Sequence, residues 1–181
     1  MTGMDARGFD LLARAISLAG ERHDGQMRKD GKTPYFTHPV RVMTIAAQVL
    51  GVTDPEVLAA AVLHDTVEDT NTDRDDIASE FGERVAGIVI HLTKDKRLPE
   101  AEREDNYFAS IATAPVEVKL CKMSDTIDNL IDSRALSPAH RAKTLAKARR
   151  LVGVVEGALP SEWAHALDRL REELRRTESE A

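Results

Sequence analysis

A single cysteine, Cys121, stands in 181 residues, so neither an intrachain disulfide nor a cysteine-built zinc site can form. No apolar run comes near the roughly 18 residues that a membrane span requires, so no membrane partner is expected. Positive charge is also short, with 25 Lys and Arg against 31 Asp and Glu and a formal net charge of −6. That balance offers no general basic field to nucleic acid, and an anionic ligand would need local cations or a metal to approach. Ten Gly and seven Pro are too few for a linker-dominated chain. The opening stretch, Met1 to Arg7, lacks the charged-then-apolar layout of a secretory leader, so a cytoplasmic protein is expected. What is present, 42% hydrophobic and 31% charged residues, suits one globular domain with a real core.

Helical periodicity runs throughout. Phe9, Leu12, Ala13, Ile16 and Ala19 recur at three- and four-residue steps and predict a first amphipathic helix up to about Asp24. A polar, turn-rich stretch follows to His38, and Pro39 is expected to open the next helix, stopped by Gly51. Asp54-Pro55 reads as an N-cap and first-turn proline for a helix running toward Val67. Thr72 with Asp75 suggests a capping box for a short helix ending near Phe81-Gly82. Glu83 to Leu92 is β-branched enough for a strand, but no partner strand is visible and helix is favoured. Glu100 to Ala112 reads as a charged, exposed helix, Pro115 opens a long one, and Ser137-Pro138 and Ser161 cap the last two. Trp163 and the methionines are expected in the core, Cys121 as a packed thiol, and residues beyond Arg175 as frayed. The expected architecture is all-α, with one helical domain over residues 8–160 and a C-terminal helix and frayed tail, 161–181, packed on it.

Chemistry concentrates at a few places. The segment Ala59 to Thr70 passes from an apolar lead-in straight into His64, Asp65, Glu68 and Asp69, which is poor core design unless a cation repairs it. Continued as one helix, it would carry Glu68 one turn after His64 and Asp69 one turn after Asp65. Imidazole with carboxylate suits Mn²⁺, Fe²⁺ or Zn²⁺ better than Ca²⁺. For an isolated His-Asp pair a solvated acidic helix end is the commoner outcome. Asp125 and Asn129, one turn apart on a helix with an apolar lead-in, could converge on the same site or form a surface pair beside Asp128 and Asp132. His38 sits at a helix start held by a rigid turn, and Arg28 and Lys29 supply a local cationic pair suited to phosphate. Each residue has a bland alternative, and the set gains force only together.

Four segments in order resemble the hydrolase domain of the RelA/SpoT family, within the HD superfamily, and especially its small alarmone hydrolases. They are His23 to Asp30, Thr33 to Pro39, Leu63 to Thr70, and Val118-Lys119-Leu120 through Asp125 and Asn129. The resemblance covers roughly residues 9 to 135. It implies an all-α HD domain with His38, His64, Asp65 and Asp125 as metal ligands, usually of Mn²⁺, with other divalent ions as alternatives. Glu68 and Asp69 would stand beside the attacking water as the catalytic carboxylates. Arg28 and Lys29 would contact substrate phosphates, and Asn129 the nucleotide side. The implied reaction is hydrolysis of the 3′-diphosphate of (p)ppGpp to GDP or GTP and pyrophosphate. One departure stands out: family members usually carry a tyrosine after the Asp-to-Asn helix, whereas Arg134 to Arg150 contains no aromatic. Arg141, Lys143 or Lys147 could contact a phosphate there instead. Other nucleotides (adenine alarmones, NADPH, nucleoside mono- or triphosphates) and a non-catalytic alarmone-binding role therefore stand as alternatives, and nucleotide synthesis is not expected.

Overall fold

The computed structural model describes residues 4–180 of the chain. Met1 to Gly3, and the last residue of the expected tail, lie outside the described residues. Among those described, no strand forms; one isolated bridge joins Met27 to Pro34. The helices are α1 (Ala6–Arg22), α2 (Thr37–Thr44, running on as a π-turn, Ile45–Val49), α3 (Pro55–Leu63), α4 (Thr66–Asp69), α5 (Arg74–Phe81) and α6 (Glu83–Leu92). They continue with α7 (Glu100–Thr113), α8 (Val116–Ser133), α9 (Pro138–Val155) and, after a 3₁₀ turn at Ser161–Trp163, α10 (Ala164–Ser179). None is long and apolar enough to cross a membrane.

The core is organised around α3. Val57 to Leu63 are all buried, which is what a helix apolar on every side demands. Helices α1, α2, α6 and α8 pack around it, α9 and α10 cover the outer side of α8, and α7 leans on α9. Gly8 allows the closest approach of α1: a Cβ there would sit 2.6 Å from Pro55 Cγ. The apolar end of α3 thus aims the residues that follow it, His64 and Asp65, at α2 and α8.

Several local readings hold. Asp54 caps α3 through Glu56 N with Pro55 in the first turn, and Ser137 caps α9 through His140 N. Cys121 is buried, and Glu83–Leu92 is helical. Others are corrected. The helix predicted to run from Pro55 toward Val67 breaks at His64-Asp65 and restarts as α4, so the four acidic and imidazole groups are not one helical stripe. Pro39 lies within the first turn of α2 rather than opening it, because Thr37 and His38 already take helical positions through bonds to Pro34 O and Tyr35 O. The capping box uses Asp73 and Asp76 rather than Thr72 and Asp75; Thr72 is buried instead. Phe9 is 69% exposed, and Met4 and Met27 also face solvent. Helix α7 buries Tyr107, Phe108 and Ile111. Helix α10 continues to Ser179 with Thr177 buried, past the point of expected fraying.

Candidate metal centre and cavity

Three connections bring the site together. The first is a small hairpin after α1: Arg28 N donates to Thr33 O, and Tyr35 N donates to Gln26 O, both at 2.8 Å. Gly31, at φ 68°, makes its turn, and Asp30 ties the tip by accepting from Lys32 N, Thr33 N and the Thr33 hydroxyl. Those bonds pull the Asp30 carboxyl down to about 2. Arg28, Lys29 and Tyr35 are thereby fixed on one wall. The second connection is the break after α3, and the third is α8, whose polar residues Ser124, Asp125 and Asp128 are buried.

At the junction, one ligand-type atom from each of His38, His64 and Asp65 lies within 4.8 Å of the others. Asp125 Oδ1 stands 3.2 Å from His38 Nε2 and 3.7 Å from His64 Nε2. The tautomers are decided by the opposite ring nitrogens. His64 Nδ1 lies 2.9 Å from Ala61 O, a group that only accepts, so Nδ1 carries a hydrogen and Nε2 is the nitrogen left to face the site. That Nε2 is buried without a hydrogen-bond partner, although Asp65 Oδ2 is 3.1 Å away. His38 Nδ1 lies 2.6 Å from Asp128 Oδ2, which turns its Nε2 inward in the same way. Two inward Nε2 atoms facing two carboxylates require a positive charge between them, carried by protons on the rings or by a bound ion, and the donor set fits a divalent cation.

The ionisation tendencies follow from that crowding. Burial pulls both imidazoles down, yet Asp125, Asp128 and Asp65 hold His38 up at about 10, and Asp65 and Asp125 hold His64 at about 9. Burial opposes charge on the carboxyls as well, but the imidazoles, and Lys122 beside Asp125, keep Asp65 and Asp125 well below the usual range. A bound cation would supply this positive charge with both imidazoles neutral.

The other anticipated residues line the same cavity of about 360 Å³. Glu68 Oε2 accepts from Lys94 N at 3.0 Å, and burial raises its carboxyl. Asp69 accepts from Lys96 Nζ at 2.5 Å and lies 3.4 Å from the Tyr35 hydroxyl. Asn129 Nδ2 donates to Asp125 Oδ1 at 2.5 Å, while its oxygen accepts from Arg28 at 3.1 Å. Arg28 also pairs with Asp132 at 2.8 Å, so its guanidinium is largely engaged with the protein itself. Lys29 faces the cavity more freely. A roomier groove of about 670 Å³, between the start of α1 and Pro55, contains no histidine.

Sequence reasoning missed four contributors: Tyr35, Lys122, Asp128 and Arg41. Tyr35 donates to Asp65 Oδ2 at 2.5 Å. Lys122 donates to Asp125 Oδ2 at 2.6 Å. Asp128, read as a surface residue, is 1% exposed and receives both His38 Nδ1 and the Arg41 guanidinium. The available signal was spacing: Asp125, Asp128 and Asp132 at i, i+3 and i+7, opposite His38 and Arg41 at i and i+3.

Comparison with known proteins bears directly on this geometry. Residues 15–152 match the HD-domain family model. Over 129 residues the chain is 43% identical to a guanosine-3′,5′-bis(diphosphate) 3′-pyrophosphohydrolase, MESH1, of Xenopus tropicalis, covering 71% of this chain and 72% of that protein. It is also 43% identical over 122 residues to a longer enzyme of that name from Aquifex aeolicus, of which it spans 17%. Among solved structures, a metazoan orthologue of SpoT described as hydrolysing ppGpp superposes with a TM-score of 0.82 at 30% identity, covering 97% of this chain and 98% of that one. The chain belongs to the HD-domain family, in the branch that holds these pyrophosphohydrolases.

Proposed function

We propose that this chain is a metal-dependent pyrophosphohydrolase that releases the 3′-diphosphate of guanosine 3′,5′-bis(diphosphate), or of its 5′-triphosphate form, as pyrophosphate, leaving GDP or GTP. The observation that carries the reading is the pair of buried, inward-facing Nε2 atoms on His38 and His64, set against Asp65 and Asp125 in a lysine-walled cavity. The names of the relatives at 43% identity point the same way.

In this reading His38, His64, Asp65 and Asp125 hold the ion, with Mn²⁺ the one we favour. When bound, such an ion lowers the pKa of a water and draws in a phosphoryl oxygen. Glu68 is suited to take the proton of the attacking water, because burial raises its carboxyl and Lys94 N fixes one of its oxygens. Asp69, held by Lys96 and close to the Tyr35 hydroxyl, orients that water. Lys29 offsets charge on the departing phosphates, and Arg28 presents the remaining edge of its guanidinium to them. Asn129 sets the angle of Asp125 and offers a polar edge toward the nucleotide.

The test is a substrate panel of ppGpp, its adenine counterpart, NADPH and nucleoside mono- and triphosphates, each incubated with Mn²⁺ and followed for pyrophosphate and orthophosphate. The reading expects pyrophosphate from ppGpp at the highest kcat/KM. Orthophosphate as the main product, or preference for a nucleoside triphosphate, would overturn it. Glu68→Ala should lose turnover while keeping the metal, and retained activity would remove Glu68 from the base role.

A further inference from the structure

Glu104 of α7 lines the cavity, between two lysines brought from different elements. Lys94, on the loop after α6, and Lys147, on α9, both reach the same carboxylate oxygen, Glu104 Oε1, at 3.0 and 3.1 Å. All three line the cavity, together with Lys29 and Thr144. Lys94 is further fixed over the ring of Tyr107, 5.0 Å from its centroid, and by its backbone bond to Glu68. Two ammonium groups converging on one oxygen, with a hydroxyl and a third lysine nearby, form a preorganised receptor for an anion. The carboxylate occupies that receptor in the structure.

We propose that Lys94, Lys147 and Thr144 form a subsite for a second phosphate group of the substrate, the one that is not cleaved, and that Glu104 holds its place until substrate enters. The inference rests on the reading of the chain as a nucleotide pyrophosphohydrolase and names what that reading leaves unassigned, the recognition of the 5′-phosphates. Several observations support it. Lys94 and Lys147 hold the Glu104 carboxyl below its usual range against the opposing effect of burial, so the place-holder is ionised at neutral pH. Half-burial, and then Arg28, Lys147, Lys143 and Lys94, pull the Lys29 ammonium down, the mark of cations crowded around one cavity. A phosphate with several oxygens can accept from both lysines, and from Thr144 once its hydroxyl turns away from His140 O, to which it donates at 3.1 Å, whereas the carboxylate Oε1 serves only the lysines. In the same position that sequence reasoning found no aromatic, α9 therefore supplies charge.

The experiment uses GDP and guanosine, which differ only in the 5′-diphosphate, so binding reports the subsite without any hydrolysis. Titration calorimetry on the full chain, on Lys147→Met and on Glu104→Gln gives the three affinity ratios. The subsite predicts GDP binding about tenfold or more tighter than guanosine in the wild type, the worth of a charge-assisted contact. Lys147→Met should remove most of that difference without changing guanosine affinity, and Glu104→Gln should widen it. Equal affinities in the wild type, an unchanged ratio in Lys147→Met, or weaker GDP binding in Glu104→Gln would each overturn the proposal. Failure to hydrolyse ppGpp would overturn the functional reading alone, because these titrations need no turnover.

Discussion

Asp128→Asn is the perturbation that most sharply separates holding a fold together from holding a metal site together. Asp128 is 1% exposed and accepts three hydrogen bonds: from His38 Nδ1 and Arg41 Nε at 2.6 Å, and from Arg41 Nη2 at 2.9 Å. An asparagine keeps the shape, but its single oxygen can serve only one side while its NH₂ opposes a donor on the other. Arg41 is 39% exposed and also paired with Asp132, so it can recover its bonds from water and from that partner. His38 is 1% exposed and cannot. The net cost to the fold is therefore one charge-assisted bond, about 1.5–3 kcal/mol. The cost to the site is larger in kind, because nothing then fixes the His38 ring or enhances its basicity, and partners of this sort are worth about 10–100-fold in metal affinity. Urea unfolding of the metal-free protein and calorimetric titration with Mn²⁺ measure the two separately. A variant that loses stability but keeps its Mn²⁺ affinity to within about twofold would refute the positioning argument.

Three further expectations follow from burial and charge. Leu63 is fully buried at the end of α3, so Leu63→Ala should cost about 2.7–5 kcal/mol in urea unfolding, with the metal site weakened as the His64-Asp65 break loosens. Burial and then Glu117 push the Cys121 thiol up to about 12, so a disulfide reagent at neutral pH should label it only after unfolding, and fast native labelling would contradict its packing. Glu104 has its folded pKa below the 4.5 of a free carboxyl, so its pairing contributes stability in full above about pH 4.5 and loses it as pH falls through the folded value. Acid unfolding of Glu104→Gln should accordingly show a shallower decline than the wild type in that window, as read by circular dichroism, with the remainder due to the other depressed carboxyls.

The legible parts of this protein are those where one short stretch of sequence decides the outcome. Asp54-Pro55 and Ser137-Pro138 satisfy helix N-termini with local groups alone, and both cap as expected. The gathering of His38, His64, Asp65 and Asp125 was legible only as a set, through four stretches that in order resemble a known family, since each residue alone had a blander reading. Where long-range packing decides, local reading falls short. The His64-Asp65 break cannot be seen in a stretch that would serve equally well as continuous helix; there the backbone leaves helical hydrogen bonding as both side chains turn toward α2 and α8. Phe9 fits the apolar period of α1, but the closely packed face is the one bearing Gly8, Ala15 and Ala19, and Phe9 falls outside it. Asp128 looked like surface because its two partners, His38 and Arg41, lie some 90 residues away in sequence.

The central claim is that a cation held by His38, His64, Asp65 and Asp125 enables release of a 3′-diphosphate. Its most direct measurement is the product analysis of ppGpp incubated with Mn²⁺ and the wild-type chain, beside the chelated wild type and Asp65→Ala. The account predicts GDP and pyrophosphate in equal amounts from the metal-loaded wild type, and neither from the other two. Intact ppGpp in the metal-loaded wild type, or equal turnover by Asp65→Ala, would contradict it.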